Sequence, residues 1–114
     1  MAKALVLGAT GHIGAHIVRA LLAEGHTVRA AYRTELSLSV LESLPVERVR
    51  VDLESSEGLP RALEGCNWVF HAAGFYPRLR DRRRTAIERG ISSTRRVLEA
   101  IRQACLVRFR PIVM

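Results

Sequence analysis

The chain has almost no lysine, few cysteines and few aromatic residues, and these shortages exclude several classes of protein. Of its 18 basic residues only Lys3 is a lysine, and the others are arginines. Cys66 and Cys105 show neither C-x-x-C nor His–Cys ligand spacing, so we expect reduced thiols in a cytoplasmic protein. No apolar run approaches the ~20 residues of a membrane span. The N-terminus enters a predicted strand directly, which leaves no room for a signal peptide.

The chain is basic, with a formal net charge of +7 at pH 7. The densest basic cluster lies at residues 78–84 and contains five arginines. Such a cluster fits either a nucleic-acid patch or a solvated loop. Because no aromatic side chain is interleaved with these arginines and no nucleic-acid motif is present, the sequence favours the solvated loop.

The most informative motif is Gly-Ala-Thr-Gly-His-Ile-Gly at residues 8–14, which follows an apolar run and opens an apolar-periodic segment. The first glycine lets the chain turn sharply out of a strand, the second lets the backbone approach phosphates, and the third lets a helix pack tightly on the sheet. The phosphate charge then lies at a helix N-terminus, where free amides and the macrodipole favour an anion. The motif therefore predicts a nucleotide site.

Predicted strands and helices alternate along the whole chain. With 48% apolar residues, we expect one α/β domain over residues 1–114. Strands that alternate with crossover helices imply a parallel sheet with right-handed connections. The glycine motif predicts a doubly wound Rossmann-type sheet of about five strands in the order 3-2-1-4-5. The predicted strands span residues 3–8, 27–33, 47–52, 67–72 and 107–113, and the predicted helices 12–24, 35–44, 56–64 and 83–105.

Helical periodicity also predicts which faces are buried. On the first helix the predicted face consists of Ile13, Ile17, Ala20 and Leu21. On the long helix it consists of Ile87, Gly90, Ile91, Thr94, Val97, Leu98 and Ile101.

The end of the second strand distinguishes the two nicotinamide dinucleotides. An acid there bonds the ribose 2′-hydroxyl of NAD, whereas an arginine suits the 2′-phosphate of NADP. Arg33 lies at this point, followed by Thr34. Arginine binds phosphate through two parallel hydrogen bonds, so the sequence favours NADP, with NAD as the alternative. A solvent-facing arginine is the other interpretation.

Two further strand ends carry candidate site residues. Asp52 can accept a hydrogen bond from the adenine amino group while Leu53 packs on the ring, or Asp52 caps the next turn. Ala72 and Ala73 are small enough for the backbone to approach a ligand. His71 is interpreted as structural, since no acid or nucleophile lies near it in sequence. The other histidines show no metal spacing with carboxylates or cysteines, so we predict no metal site.

These motifs, in this order, resemble the extended short-chain dehydrogenase/reductase family, in particular its NAD(P)-dependent epimerase/dehydratase and dihydroflavonol-reductase-like branch. The matching segments are residues 8–14, 51–53, 63–73 and 94–100, and the resemblance covers residues 1–109. The resemblance implies cofactor contacts at Gly8, Thr10, Gly11, His12, Ile13, Gly14, Arg33, Asp52, Leu53, Ala72 and Ala73.

The chain departs from this family in its catalytic residues. The family uses a Tyr-x-x-x-Lys pair and a serine after the fifth strand, and the lysine lowers the pKa of the tyrosine. Here Lys3 lies in the first predicted strand, and Tyr76 is followed four residues later by Arg80, which cannot exchange protons at neutral pH. Gly90 stands where the family carries an asparagine that braces the active site. We therefore predict no catalytic residue in this chain.

The interpretation that follows is the cofactor-binding part of an NADP-dependent oxidoreductase or sugar epimerase/dehydratase, truncated before the catalytic half and inactive alone. The alternative is a non-catalytic NADP-sensing regulatory module. As partners we expect the dinucleotide and either a second copy of the chain or the missing C-terminal portion. Residues 107–113 would otherwise form an exposed edge strand beside an uncovered helix, and Pro111 is tolerable only at such an edge.

Overall fold

A computed structural model describes residues 2–73 and 83–108. Its four strands are β1 (Lys3–Leu7), β2 (Thr27–Tyr32), β3 (Glu47–Arg50) and β4 (Trp68–His71). The helices are α1 (His12–Ala23), α2 (Leu59–Leu63) and α3 (Arg83–Arg108), and a 3₁₀ helix spans Glu35–Leu41. The strands form one sheet in the order β3-β2-β1-β4, and all three pairings are parallel. The predicted Rossmann-like α/β class and the order of the first four strands are confirmed.

A fifth strand is not confirmed. Its predicted first residues, Val107 and Arg108, belong to α3 instead. No glycine or proline, the residues that most often end a helix, occurs between Gly90 and Pro111, so the helix continues past its predicted end. The rest of the predicted strand, residues 109–113, lies outside the described residues.

Helices cover both faces of the sheet, and β1 is therefore apolar and buried from Ala4 to Leu7. Val6 belongs to one core cluster, packed with α1 and the 3₁₀ helix through Val18 and Leu41. Leu5 and Leu7 belong to the second cluster, beneath α2 and α3. All five of these side chains are at most 1% exposed.

The buried face of α1 agrees with the predicted one at Leu21 and Ile17, which packs against the first core cluster, but differs at Ile13 and Ala20. Its buried residues are Gly14, Ala15, Val18 and Leu21, whereas Ile13 is 55% exposed and Ala20 is also exposed. Gly14 must lie against the carbonyl oxygen of Gly8, and this contact rotates the helix so that its small residues face the sheet. A prediction from hydrophobicity alone therefore places the buried face of α1 too far round the helix axis.

The long helix α3 likewise packs through its small residues. Ala86 and Val97 are buried, and Ala100, Ile101 and Ala104 pack against the second core cluster. Thus Val97 and Ile101 were correctly placed on the packed face. In contrast, Ile87, Ile91 and Leu98 are 55%, 47% and 61% exposed, and Thr94 is exposed too. The predicted stripe is therefore wrong for these four residues, because alanines allow the closer approach to the core.

One buried arginine joins the sheet to α2. Among the described residues, Arg29 of β2 is the buried charged side chain, at 8% exposure. Its Nη1 donates to the carbonyl oxygens of Ala62 and Glu64, each at 2.6 Å, and its Nε donates to Glu47 Oε2 at 3.0 Å. The guanidinium thus satisfies carbonyls at the end of α2 that have no helical partner.

Glu47 is the first residue of β3, at the end of the sheet where its parallel strands begin, and it lies between two cations. Its Oε2 is 3.0 Å from Arg29 Nε and 3.2 Å from Lys3 Nζ. The hydrogen bond from Arg29 is the largest cause that lowers the pKa of Glu47 below its usual value, and partial burial opposes it. The hydrogen bond from Lys3 and the charges of both cations lower it further. This cluster lies at the edge opposite the carboxyl ends of the strands.

Candidate functional site

A cleft of about 210 Å³ opens at the carboxyl ends of the strands. The chain leaves β1 toward β2 on one side, and β4 lies on the other, so the cleft coincides with the point where the strand order reverses. Ligands of open α/β sheets bind at such a point. The lining residues are Leu7, Gly8, Thr10, Ala31, Tyr32, Arg33, Val51, Asp52, Leu53, Glu54, Ala73 and Ser93.

Glycine is required at position 8 for two independent reasons. Gly8 has a φ of +79°, a region that other residues rarely adopt. A Cβ there would also lie 2.7 Å from the Ala73 nitrogen and 2.8 Å from the Ala72 carbonyl oxygen. The Ala72 amide donates to the Leu7 carbonyl at 2.9 Å, so the segment after β4 is fixed against the glycine loop. These close backbone contacts form the floor of the cleft.

The start of α1 points toward the same loop. The Gly11 amide donates to the Gly8 carbonyl at 3.0 Å, and the Ala15 amide donates to the Gly11 carbonyl at 2.9 Å. Gly11 is the N-cap, so no side chain caps the helix, and its first turn contains no acidic residue. The first turn thus carries no negative charge of its own against the positive end of the helix, which suits an anion.

Arg33 follows β2 and lines the cleft, with its side chain exposed. The preceding Ala31 carbonyl accepts from the Ala9 amide at 3.1 Å. This bond ties the end of β2 to the glycine loop. Arg33 therefore lies at the cleft, where the sequence predicted a phosphate contact.

Asp52 adopts the turn-capping arrangement, one of the two that the sequence left open. Its Oδ1 accepts from the Glu54 amide at 2.9 Å, and its own amide donates to the Glu57 carbonyl at 3.1 Å, so it caps the turn after β3. It also lines the cleft beside Leu53, whose side chain packs against the second core cluster. The turn thus presents a carboxylate and an apolar side chain to the cleft together.

The structure brings six of the eleven predicted cofactor residues into the cleft lining: Gly8, Thr10, Arg33, Asp52, Leu53 and Ala73. The other five adjoin it. Gly14 and Ala72 lie against Gly8, and Gly11, His12 and Ile13 are exposed at the start of α1. The His12 ring makes an edge-to-face contact with His16, with centroids 5.0 Å apart.

His71 ends β4, next to the segment that contacts Gly8. Although the residue retains an exposed surface, partial burial lowers the pKa of its imidazole below the usual value. The ring is therefore neutral at pH 7. It does not line the cleft.

Sequence reasoning missed several lining residues, of which Glu54 and Ser93 are the most informative. Glu54 follows Asp52 and Leu53 in the same turn. Those two residues were selected because they lie at the end of a predicted strand, and the same reason applies to Glu54. Ser93 lies in the middle of α3 and reaches the cleft only because the helix docks beside the turn. No local signal marks it.

Within residues 2–73 and 83–108, no group of three or more metal-ligating side chains comes together. No helix of this described part is both long and apolar enough to cross a bilayer. The cleft lining combines small and apolar residues with Tyr32, Arg33 and the carboxylates of the turn after β3.

Comparison with known proteins places most of the chain in a known family. The sequence profile of a family described as NAD(P)H-binding matches residues 8–112. The sterol demethylase protein B of Methylococcus capsulatus is 39% identical over 100 residues, which are 88% of this chain and 30% of that protein.

Solved structures share the fold. The crystal structure of gox2253 matches with a TM-score of 0.80 at 30% identity, covering 91% of this chain and 32% of that one. A nucleoside-diphosphate-sugar epimerase from Pseudomonas aeruginosa matches with a TM-score of 0.69 at 29% identity, covering 90% and 30%. A short-chain dehydrogenase/reductase superfamily protein from Agrobacterium tumefaciens with bound NAD gives 0.69 at 29% identity, covering 90% and 29%. The chain thus spans about a third of the length of the proteins it resembles.

Proposed function

Because this chain belongs to the NAD(P)H-binding family and corresponds to the amino-terminal part of extended short-chain dehydrogenases/reductases, we propose that its cleft binds the ADP half of the nicotinamide dinucleotide. One observation carries the proposal. The floor of the cleft is backbone held by Gly8, Gly14 and the 72–73 segment, at the uncapped start of α1. Backbone amides at a helix N-terminus, without side chains in the way, are the features that bind a diphosphate.

Each wall of the cleft has a role in this proposal. The amides at the start of α1, with Thr10, Gly11, His12 and Ile13 nearby, hold the diphosphate. Leu53 packs on the adenine ring, and Asp52 accepts a hydrogen bond from the adenine amino group through the oxygen that the turn leaves available. The backbone at Ala72 and Ala73 approaches the far side of the dinucleotide.

A charge placed in the cleft tests this assignment. Thr10→Glu introduces a carboxylate beside the proposed diphosphate, whereas Ala23→Glu adds the same charge at the far, exposed end of α1. We expect NADPH, titrated by its fluorescence, to bind Ala23→Glu like the wild type and to bind Thr10→Glu at least tenfold more weakly. Equal affinities for the two variants would place the nucleotide elsewhere.

We further propose that NADP is preferred to NAD. The support is Arg33, whose exposed guanidinium stands at the cleft after β2 and matches a phosphate in charge and geometry. A 2′-hydroxyl offers no comparable partner to this cation.

The activity to which this domain contributes is NADP-linked oxidation, reduction or epimerisation of a hydroxyl or carbonyl compound, a nucleotide sugar being one candidate. The relatives are about three times as long as the chain, and the sequence contains neither Tyr-x-x-x-Lys nor a tyrosine-activating lysine. We therefore propose that residues 1–114 act as a single cofactor-binding domain without turnover of their own. A purely regulatory NADP sensor has no specific observation in its favour.

Self-association is proposed through the outer face of α3. Ile87, Ile91, Thr94 and Leu98 follow a four-three-four spacing, the seam of paired helices, and all four are exposed. In a two-fold antiparallel pair centred on this seam, Ile87 lies opposite Leu98 of the partner subunit, and Ile91 lies opposite the partner's Thr94. This self-complementary register favours a second copy as the occupant, and the C-terminal portion of the family fold is the competing one.

The cellular location follows from cysteine chemistry. Cys105 is a free and exposed thiol. An exposed free thiol suits a reducing compartment, so we propose the cytoplasm.

A further inference from the structure

Two arginines of α3 hold the turn that forms one wall of the cleft. Arg89 Nη2 lies 2.7 Å from Glu54 Oε1, and Arg96 Nη1 donates to the Leu53 carbonyl at 3.1 Å. Ser93 lies between them on the same side of the helix and lines the cleft. Positions 89, 93 and 96 share one helical face, so α3 meets the turn along a single line.

The turn is also shaped by bonds of its own. Residues 52–57 are closed by the Asp52 cap on the Glu54 amide and by the bridge between Asp52 and Glu57. Ser56 has a φ of +64°, which strains a residue other than glycine. These bonds lie within the turn and shape it, and the Leu59 amide, which donates to the Ser56 carbonyl at 3.1 Å, joins it to α2. The contacts that fix it against α3 are those of the two arginines and the packing of Leu53.

We infer that Arg89 and Arg96 are positioning residues for adenine recognition, acting through Glu54 and Leu53. This inference rests on the proposed dinucleotide function. The arginines lie outside the cleft lining and so need not touch the nucleotide. They hold the wall at the distance at which Leu53 covers a purine ring and Asp52 reaches its edge. Loss of either arginine lets the wall move away and weakens adenine recognition more than diphosphate binding.

ADP and GDP separate this effect from a general loss of structure, because they share ribose and diphosphate and differ in the base. The variants are Arg89→Gln, Arg96→Gln and Glu54→Gln, each titrated by calorimetry with both nucleotides. Arg84→Gln is the matched control, since it removes an exposed ion pair with Glu88 within α3. Thermal unfolding of every variant reports stability separately.

The wild type is expected to bind ADP more tightly than GDP. Each single variant should weaken the affinity for ADP about two- to fivefold and leave the affinity for GDP within twofold of the wild type. The control Arg84→Gln should bind both nucleotides like the wild type. Glu54→Gln and Arg89→Gln should not add when combined, because both remove the same ion pair.

Three results overturn the inference. Unchanged ADP affinity in all variants shows that the wall does not depend on α3. Parallel losses for ADP and GDP, with a lowered melting temperature, indicate a purely structural role. Absence of binding by either nucleotide to the wild type overturns the proposed function itself, and is thereby distinguished from the other two results.

Discussion

The carbonyl oxygen of Gly8 lies directly against the α-carbon of Gly14, in the position that a Cβ at residue 14 would occupy. This contact joins the turn after β1 to the first turn of α1. It draws the helix N-terminus down onto the end of the strand, next to Gly8 and Thr10 of the cleft lining. The close approach of these two glycines connects the sequence motif to the proposed diphosphate site.

Gly14→Ala is expected to destabilise the protein strongly. The new methyl group overlaps the Gly8 carbonyl, which is backbone and cannot rotate away, so we expect a loss of about 3 kcal/mol in the free energy of unfolding. Gly11→Ala is the control, because its Cβ meets the Gly8 oxygen at 3.3 Å, and a shift of a few tenths of an ångström relieves it. Urea titrations of both variants measure the difference, and similar losses would contradict the proposed contact.

Removal of the Glu47 charge should cause a pH-dependent loss of stability. The pKa of Glu47 is lowered in the folded state, chiefly by the hydrogen bond from Arg29. Its carboxylate therefore stabilises the fold above the unfolded-state pKa, and this contribution is lost as pH falls through the lower, folded-state pKa. Because Glu47 is half-exposed, we expect Glu47→Gln to cost about 1 kcal/mol or less at pH 7.

The difference between wild type and Glu47→Gln should shrink below about pH 4. Urea denaturation at a series of pH values measures it, with Glu24→Gln as the background for losing an exposed carboxylate at the end of α1. A difference that persists unchanged at low pH would show that Glu47 acts through packing rather than charge.

Arg33→Ala is expected to remove most of the preference for NADP over NAD. A charged contact to the 2′-phosphate is worth about 1.5–3 kcal/mol, so the ratio of the two affinities should fall about tenfold or more. Calorimetric titration with both dinucleotides gives this ratio. Arg19→Ala, on the exposed outer face of α1, is the control for lost positive charge. If Arg33→Ala leaves the ratio unchanged, another group recognises the phosphate.

Association through α3 is tested by a charge placed on its exposed face. The wild type should be a dimer or larger at tens of micromolar by light scattering. Leu98→Arg should give monomers, since Leu98 is 61% exposed and belongs to the proposed contact. Val40→Arg changes another exposed apolar residue, 38% exposed, and should leave the assembly intact. A monodisperse 12.7 kDa wild-type species would rule the proposal out.

The features that sequence predicts well here are local ones. The glycine loop, the strand ends at Arg33 and Asp52, and the order of four strands all follow from short motifs whose geometry depends on near neighbours. The packed faces of α1 and α3 were misjudged because hydrophobicity favours large side chains, whereas close packing selected Gly14 and Ala86. Ser93 reaches the cleft through the docking of α3, which no nearby residue encodes.

The central claim is that this chain binds the dinucleotide through its ADP half. Calorimetry with NADP and with 2′-phospho-ADP-ribose, which lacks the nicotinamide, tests it most directly. The account predicts one saturable site for each ligand and affinities within about threefold of each other. An advantage of tenfold or more for intact NADP, about 1.4 kcal/mol, or no saturable binding of 2′-phospho-ADP-ribose, would contradict it.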